Sequence, residues 1–216
     1  YLDRDAVRAA ADEDTAAIMI TNPNTLGIFE RDLPDIADIV HAVGGYVYGD
    51  GANLNALLGV TRPGDLGVDL THVNLHKTFS TPHGGGGPGA GPLAVKALLA
   101  PYLPVPVVVE KGGFLALSWD RPKSIGKVKS FYGNFLVCLR AYAYILTMGH
   151  EGLRRAALTA VANANYVRAR LKGRYHLPYD VPCMHECVFT DKLQRERGVT
   201  TLDIAKRLID YGFHPP

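Results

Sequence analysis

Asn74-Leu75-His76-Lys77-Thr78-Phe79-Ser80-Thr81-Pro82-His83-Gly84-Gly85-Gly86-Gly87-Pro88-Gly89 decides the fold. It overlaps the apolar run Leu70–Leu75, which predicts a strand leading straight into His76-Lys77. Ordering four consecutive glycines is entropically unfavourable, so such a run has a use where backbone must approach a ligand or another chain. A flexible turn is the alternative. The run does not open from a strand into a helix, as a dinucleotide-binding G-x-G-x-x-G would, and no Lys-Ser or Lys-Thr follows its last glycine, as in a P-loop. Nucleotide binding is therefore disfavoured.

Upstream, the chain alternates helical and β-type patterns. Asp5–Ala11 reads as a helix, Ala16–Ile20 as a buried strand and Thr21–Thr25 as a loop. Asp32 is a candidate N-cap with Pro34 just inside, and Ile36, Ile39, Val40 and Val43 keep helical spacing up to Gly44-Gly45. Tyr46–Tyr48 then reads as a strand closing on Gly49-Asp50-Gly51, and Pro104–Glu110 as a further β run. This rhythm predicts βαβ units and a mainly parallel sheet. Such sheets bind ligands at the carboxyl ends of their strands, where Asn22, Asp50 and Lys77 all fall.

Beyond Gly133, Asn134–Met148 and Glu151–Leu171 read as two long helices broken at Gly149. Glu186–Phe189 reads as a short strand, and Thr201–Tyr211 as a helix with Thr201 as its cap. A boundary near Arg121–Lys129 divides residues 1–125, a sheet domain, from 126–216, a smaller helix-rich one.

A formal charge of +2 without a long Lys/Arg run argues against nucleic-acid binding. No apolar run approaches the roughly 20 residues that cross a bilayer. Three cysteines, Cys138, Cys183 and Cys187, fit free thiols in a reducing compartment, hence a cytoplasmic setting. Cys183-Met184-His185-Glu186-Cys187 offers too few ligands for a zinc site, so no metal is expected. Tyr1–Asp5 has the look of an internal start, and the chain reads as a piece of a longer protein.

Lys77 and Asp50 fit two requirements of a pyridoxal-phosphate site: an amine for the cofactor's aldehyde and a carboxylate for its pyridine nitrogen. Singly, a lysine after a strand is most often solvated, and an Asp between glycines most often forms a turn. Together they gain weight, and longer motifs add more. The segment Asn74–Gly89 resembles the lysine segment of the glycine cleavage system P-protein, as do Thr21–Gly27 and Gly49–Ala56. Ser130-Phe131-Tyr132-Gly133-Asn134-Phe135 and Pro182–Glu186 resemble the second subunit of that family's bacterial two-subunit form.

The resemblance implies the aspartate-aminotransferase-like fold (fold type I): part of a large domain, with a mainly parallel sheet, and part of a smaller α+β C-terminal domain. It implies pyridoxal phosphate held covalently at Lys77, Asp50 on the pyridine nitrogen and His76 beside the cofactor, toward its phosphate. Asn22 and Asn53 would lie near the ring or substrate, and Gly84, Gly85, Gly86 and Gly87 would wall the entry of a lipoyl arm. The implied reaction is decarboxylation of glycine with aminomethyl transfer to a lipoylated H-protein, beside a complementary P-protein subunit in a hetero-oligomer. A serine-hydroxymethyltransferase-like enzyme and a non-catalytic piece are the alternatives. The absence of an upstream segment predicts exposed apolar surface and poor solubility of the piece alone.

Overall fold

The computed structural model describes residues 1–85, 87–130 and 132–215. Gly86 of the glycine run, Phe131 of the Ser130–Phe135 motif and Pro216 lie outside the described residues.

Helix α1 (Arg4–Ala10) begins at Asp3, whose side chain accepts from the N–H groups of Asp5 and Ala6. Strand β1 (Ala17–Thr21) follows, then α2 (Leu33–Ala42) and β2 (Tyr46–Gly51). Helix α2 buries Leu33, Ile36, Ala37 and Val40, the spacing of one helical face. They join Ile20 of β1, Val47 of β2 and Val68 in one core cluster. Full burial of each large aliphatic side chain there stabilises by about 1.5–3 kcal/mol. Asp32 stands at the N-cap but makes no side-chain capping bond, so the expected cap reduces to position alone. Gly44 ends the helix with φ 87°, a conformation suited to glycine.

Strands β1, β2 and β3 (Leu70–Val73) run parallel in that order, with β4 (Leu93–Val95) antiparallel beside β3. The expected strand through Leu75 stops at Val73, because Val73 pairs with the last residue of β2, Gly51. The chain then makes one helical turn, α3 (Leu75–Thr78). Leu75 packs in a second core cluster with Val137 and Ala141 of α4 (Phe135–Leu171). As expected, α4 is two helices, meeting at Gly149 with φ 60° and ψ −177°.

Pro104–Glu110 does not extend the parallel sheet. Its β part, β5 (Val107–Lys111), pairs antiparallel with β6 (Phe114–Ser118) in a separate hairpin. Gly112 and Gly113, at φ 60° and 82°, form a tight turn that returns the chain at once. Phe114 and Leu115 of the hairpin are each 79% exposed, and Phe135, Leu136, Leu139, Tyr142 and Leu146 of α4 face outward.

The expected strand over Glu186–Phe189 is not formed. Only an isolated bridge between His176 and Thr190 holds that stretch in β fashion. A side chain supplies the anchor instead: Asn165 Nδ2 donates to the Cys183 carbonyl (2.6 Å), and its Oδ1 accepts from Cys183 N–H (3.1 Å). After α5 (Lys192–Arg195), α6 (Thr201–Asp210) is capped by Thr200, not Thr201, in a reciprocal box with Asp203. The N–H and hydroxyl of Thr201 both donate to Asp191 Oδ2 at 2.8 Å. Among the described residues, no helix is long and apolar enough to cross a membrane.

Candidate functional site

The parallel register places Thr21, Asp50 and His72 abreast at the carboxyl ends of β1, β2 and β3. Asn22 follows directly, and Asn22 and Asp50 line one small cavity of about 20 Å³. Asp50 Oδ1 accepts from the N–H of Ala52 (2.9 Å) and lies 3.2 Å from His72 Nε2. Among the described residues no donor reaches Oδ2. The His72 ring is held on both sides, Nδ1 being 2.8 Å from the Tyr48 hydroxyl and Nε2 3.1 Å from Asn74 Oδ1. Burial, with the nearby Asp50 charge, raises the Tyr48 phenol above its ordinary value. Sequence reasoning missed His72. Only the strand register shows that it stands beside Asp50.

Asn74 links this group to the lysine turn. Its side-chain oxygen faces His72, and its carbonyl accepts from the N–H groups of Lys77 (3.1 Å) and Thr78 (3.0 Å). Within α3, Leu75 and Thr78 are buried, whereas Lys77 is exposed with no ion pair among the described residues. The turn is fixed to the core on one side and offers an amine on the other. His76 stacks on His83, with centroids 4.1 Å apart and planes at 28°. Burial, then the His83 and Lys77 charges, lowers the His76 pKa and favours the neutral ring.

The buried His76 Nδ1, Thr78 Oγ1 and Thr81 Oγ1 have no hydrogen-bond partner among the described residues, and Thr81 is 0% exposed. Buried polar atoms are rarely left unpaired, and these three fall within six residues around Lys77. The same stretch holds Ser80 at φ 55° and His83 at φ 41°, non-glycine residues in a conformation that clusters at binding sites. A Cβ added to Gly89 would meet His76 Nδ1 at 3.2 Å, so backbone packs against the imidazole there.

The other expected site residues fall as follows. Asn22 Nδ2 donates to the Glu30 carbonyl (3.2 Å), and its Oδ1 accepts from Glu30 N–H (2.9 Å). The buried Asn53 donates to the Pro23 carbonyl (2.9 Å). Each amide thus has a backbone partner in the loop after β1. Pro82–Gly85 form a short 3₁₀ turn, Gly87 N–H donates to the His83 carbonyl (2.6 Å), and Asn134 Nδ2 donates to the Gly89 carbonyl (2.5 Å).

The loop after β1 also meets the Cys183–Cys187 stretch, since Met184 N–H donates to the Gly27 carbonyl at 2.7 Å. A Cβ on Gly27, whose φ is +75°, would lie 1.9 Å from the Glu186 carbonyl oxygen. Cys183 and Cys187 are free, and burial raises both thiols above their ordinary value. Among the described residues no group of three ligands could hold a metal.

The family description "glycine dehydrogenase, C-terminal domain" matches residues 156–216. The chain is 59% identical over 215 residues to the probable glycine dehydrogenase (decarboxylating) subunit 2 of Caldanaerobacter subterraneus, covering 100% of this chain and 44% of that protein. It is 57% identical over 215 residues to the protein of the same name in Shouchella clausii, again covering 100% and 44%. By sequence, the chain belongs with glycine dehydrogenase (decarboxylating) subunit 2. It spans less than half the length of these subunit 2 relatives. Among solved structures, a cysteine desulfurase from Thermococcus onnurineus superposes with a TM-score of 0.69 at 16% identity, covering 99% of this chain and 52% of that one. A cysteine desulfurase from Escherichia coli gives 0.62 at 18%, covering 98% and 51%. At such identities the likeness is one of fold, and it is the aspartate-aminotransferase-like fold expected from sequence.

Proposed function

We propose that this segment carries the pyridoxal-phosphate site of a decarboxylating glycine dehydrogenase, with Lys77 holding the cofactor. One observation carries the reading. An exposed amine stands on a turn anchored by buried Leu75 and Thr78, at the carboxyl edge of a parallel sheet, and three buried polar atoms within residues 76–81 have no partner among the described residues. The names of relatives that match essentially the whole chain support the activity.

The residues present fit the group. Lys77 would supply the amine, and Asp50 Oδ2, which no donor reaches among the described residues, would accept from a protonated pyridine nitrogen. His76 Nδ1 and the hydroxyls of Thr78 and Thr81 are hydrogen-bonding groups of the kind a phosphorylated ring requires. Bound pyridoxal phosphate would supply the electron sink for the bond broken at the α-carbon of glycine. Lys77 would hold the cofactor until the amine of glycine replaces it, and then be free to carry a proton. Asp50, as an anion, would keep the pyridine nitrogen protonated. Asn22 and Asn53 would contribute by holding the loop after β1.

Gly84–Gly87 would form the wall along which the lipoyl arm of a carrier protein enters to take the aminomethyl group. The subunit 2 name of the relatives supports a complementary subunit as partner, and the setting would be cytoplasmic. The boundary near residue 125 would separate the cofactor-binding domain from the small one.

Pyridoxal phosphate added to the protein, alone and with a complementary subunit, should give visible absorbance of the lysine-bound form. Lys77→Ala should abolish it, and glycine should change it. Absorbance that survives Lys77→Ala would sink the assignment.

A further inference from the structure

His72 is the residue nearest the proposed chemistry to which nothing so far assigns a task. It is paired with Asp50 across the β2–β3 ladder, so their side chains emerge on the same face. Its Nε2 hydrogen-bonds to Asn74 Oδ1 (3.1 Å), an oxygen that only accepts, so the ring carries its proton on that nitrogen, with Asp50 Oδ1 3.2 Å from the same atom. The Tyr48 hydroxyl, 2.8 Å from Nδ1, donates to the other side. Tyr48 belongs to β2 as Asp50 does, and Asn74 opens the lysine turn, so the ring is gripped by the two segments that carry Asp50 and Lys77. Ala52 N–H also falls on Asp50 Oδ1, which concentrates the protein's contacts on one oxygen and leaves Oδ2 without a donor among the described residues.

We propose that His72 is the positioning residue for Asp50: held by Tyr48 and Asn74, it sets its Nε2 edge against Oδ1 and keeps Oδ2 as the oxygen available to a pyridine nitrogen. This rests on the reading of Asp50 given above. In this role His72 acts through the carboxylate, as an outer partner orients a binding group. A glutamine at 72 carries an amide N–H₂ at a similar reach, so it preserves the contact that a phenylalanine deletes.

The test compares wild type, His72→Phe, His72→Gln and Asp50→Asn with two readouts. In the cofactor-free protein, ¹⁵N-histidine NMR should find Nε2 of His72 protonated, and Asp50→Asn should move that resonance. With pyridoxal phosphate added, His72→Phe should keep the lysine-bound absorbance. It should also lower the affinity about tenfold and displace the pH midpoint of that absorbance in the direction Asp50→Asn displaces it. His72→Gln should restore most of both.

A ring resonance indifferent to Asp50→Asn overturns the proposal. So does a His72→Phe variant with wild-type affinity and midpoint beside a damaged Asp50→Asn. If Asp50→Asn binds and titrates as wild type while the resonance still responds to it, the reading of Asp50 itself falls, and the proposal with it. Should His72→Phe not fold, Tyr48→Phe, which removes one hydroxyl, must move both readouts the same way by less; no movement overturns the proposal.

Discussion

The two ends of β3 handle polar groups in opposite ways. At the amino end, the Asp69 side chain is only 4% exposed and fully engaged, by Val47 N–H (2.8 Å), His41 Nε2 (2.7 Å) and Lys96 Nζ (3.0 Å). Burial alone would raise its pKa, but those three partners outweigh it and hold the carboxyl below its ordinary value. At the carboxyl end, the α3 turn and the residues after it leave three buried polar atoms without partners among the described residues, and Lys77 in the open. Under the proposed function, the cofactor would pair with the unpartnered groups at the carboxyl end, where parallel sheets bind their ligands.

The largest effect that tests this contrast is Asp69→Ala, which strands a buried N–H and breaks a buried charge cluster. It should cost about 3 kcal/mol in chemical denaturation while leaving the cofactor affinity of the folded protein unchanged. The sign with pH follows from the lowered pKa: Asp69's contribution is complete above the ordinary carboxylate value and is lost as the pH falls through its lower folded value. A denaturation curve of Asp69→Ala parallel to wild type at acid pH, but below it at neutral pH, is the expected pattern.

Next is Gly27→Ala, where a methyl group would strike the Glu186 carbonyl in a backbone conformation that alanine resists. It should lower stability by about 1–3 kcal/mol and expose residues 182–190 to a protease. An unchanged melting temperature would show that this junction yields easily.

The smallest effect on stability, and the sharpest on the comparison, is Thr81→Val. Removing an unpartnered buried hydroxyl should leave the cofactor-free protein within about 1 kcal/mol of wild type, or stabilise it, yet weaken pyridoxal phosphate. Equal weakening of both would make Thr81 part of the scaffold instead.

Legibility in the sequence followed the range of each interaction. The α2 face was readable because Ile36 and Val40 lie within one helix, and the break at Gly149 because glycine marks it locally. The Gly112-Gly113 turn was equally local but went unread, and with it β6. Lys77 and Asp50 were found through their motifs. His72 was not, because its significance comes from pairing with a strand 22 residues earlier. Asn22 and Asn53 sit in such motifs too, and their backbone partners at Glu30 and Pro23 became visible only in the fold.

The sequence by itself determined the βαβ rhythm, the lysine after the third strand and the family, because periodicity, turn residues and long motifs are written along the chain. Tertiary structure alone decided which polar groups are satisfied and which are held free. It also decided that Asp50 meets His72 and that Gly27 seats the Cys183–Cys187 stretch. Those outcomes depend on strand register and on the close approach of distant backbone, which become definite only when the chain is packed.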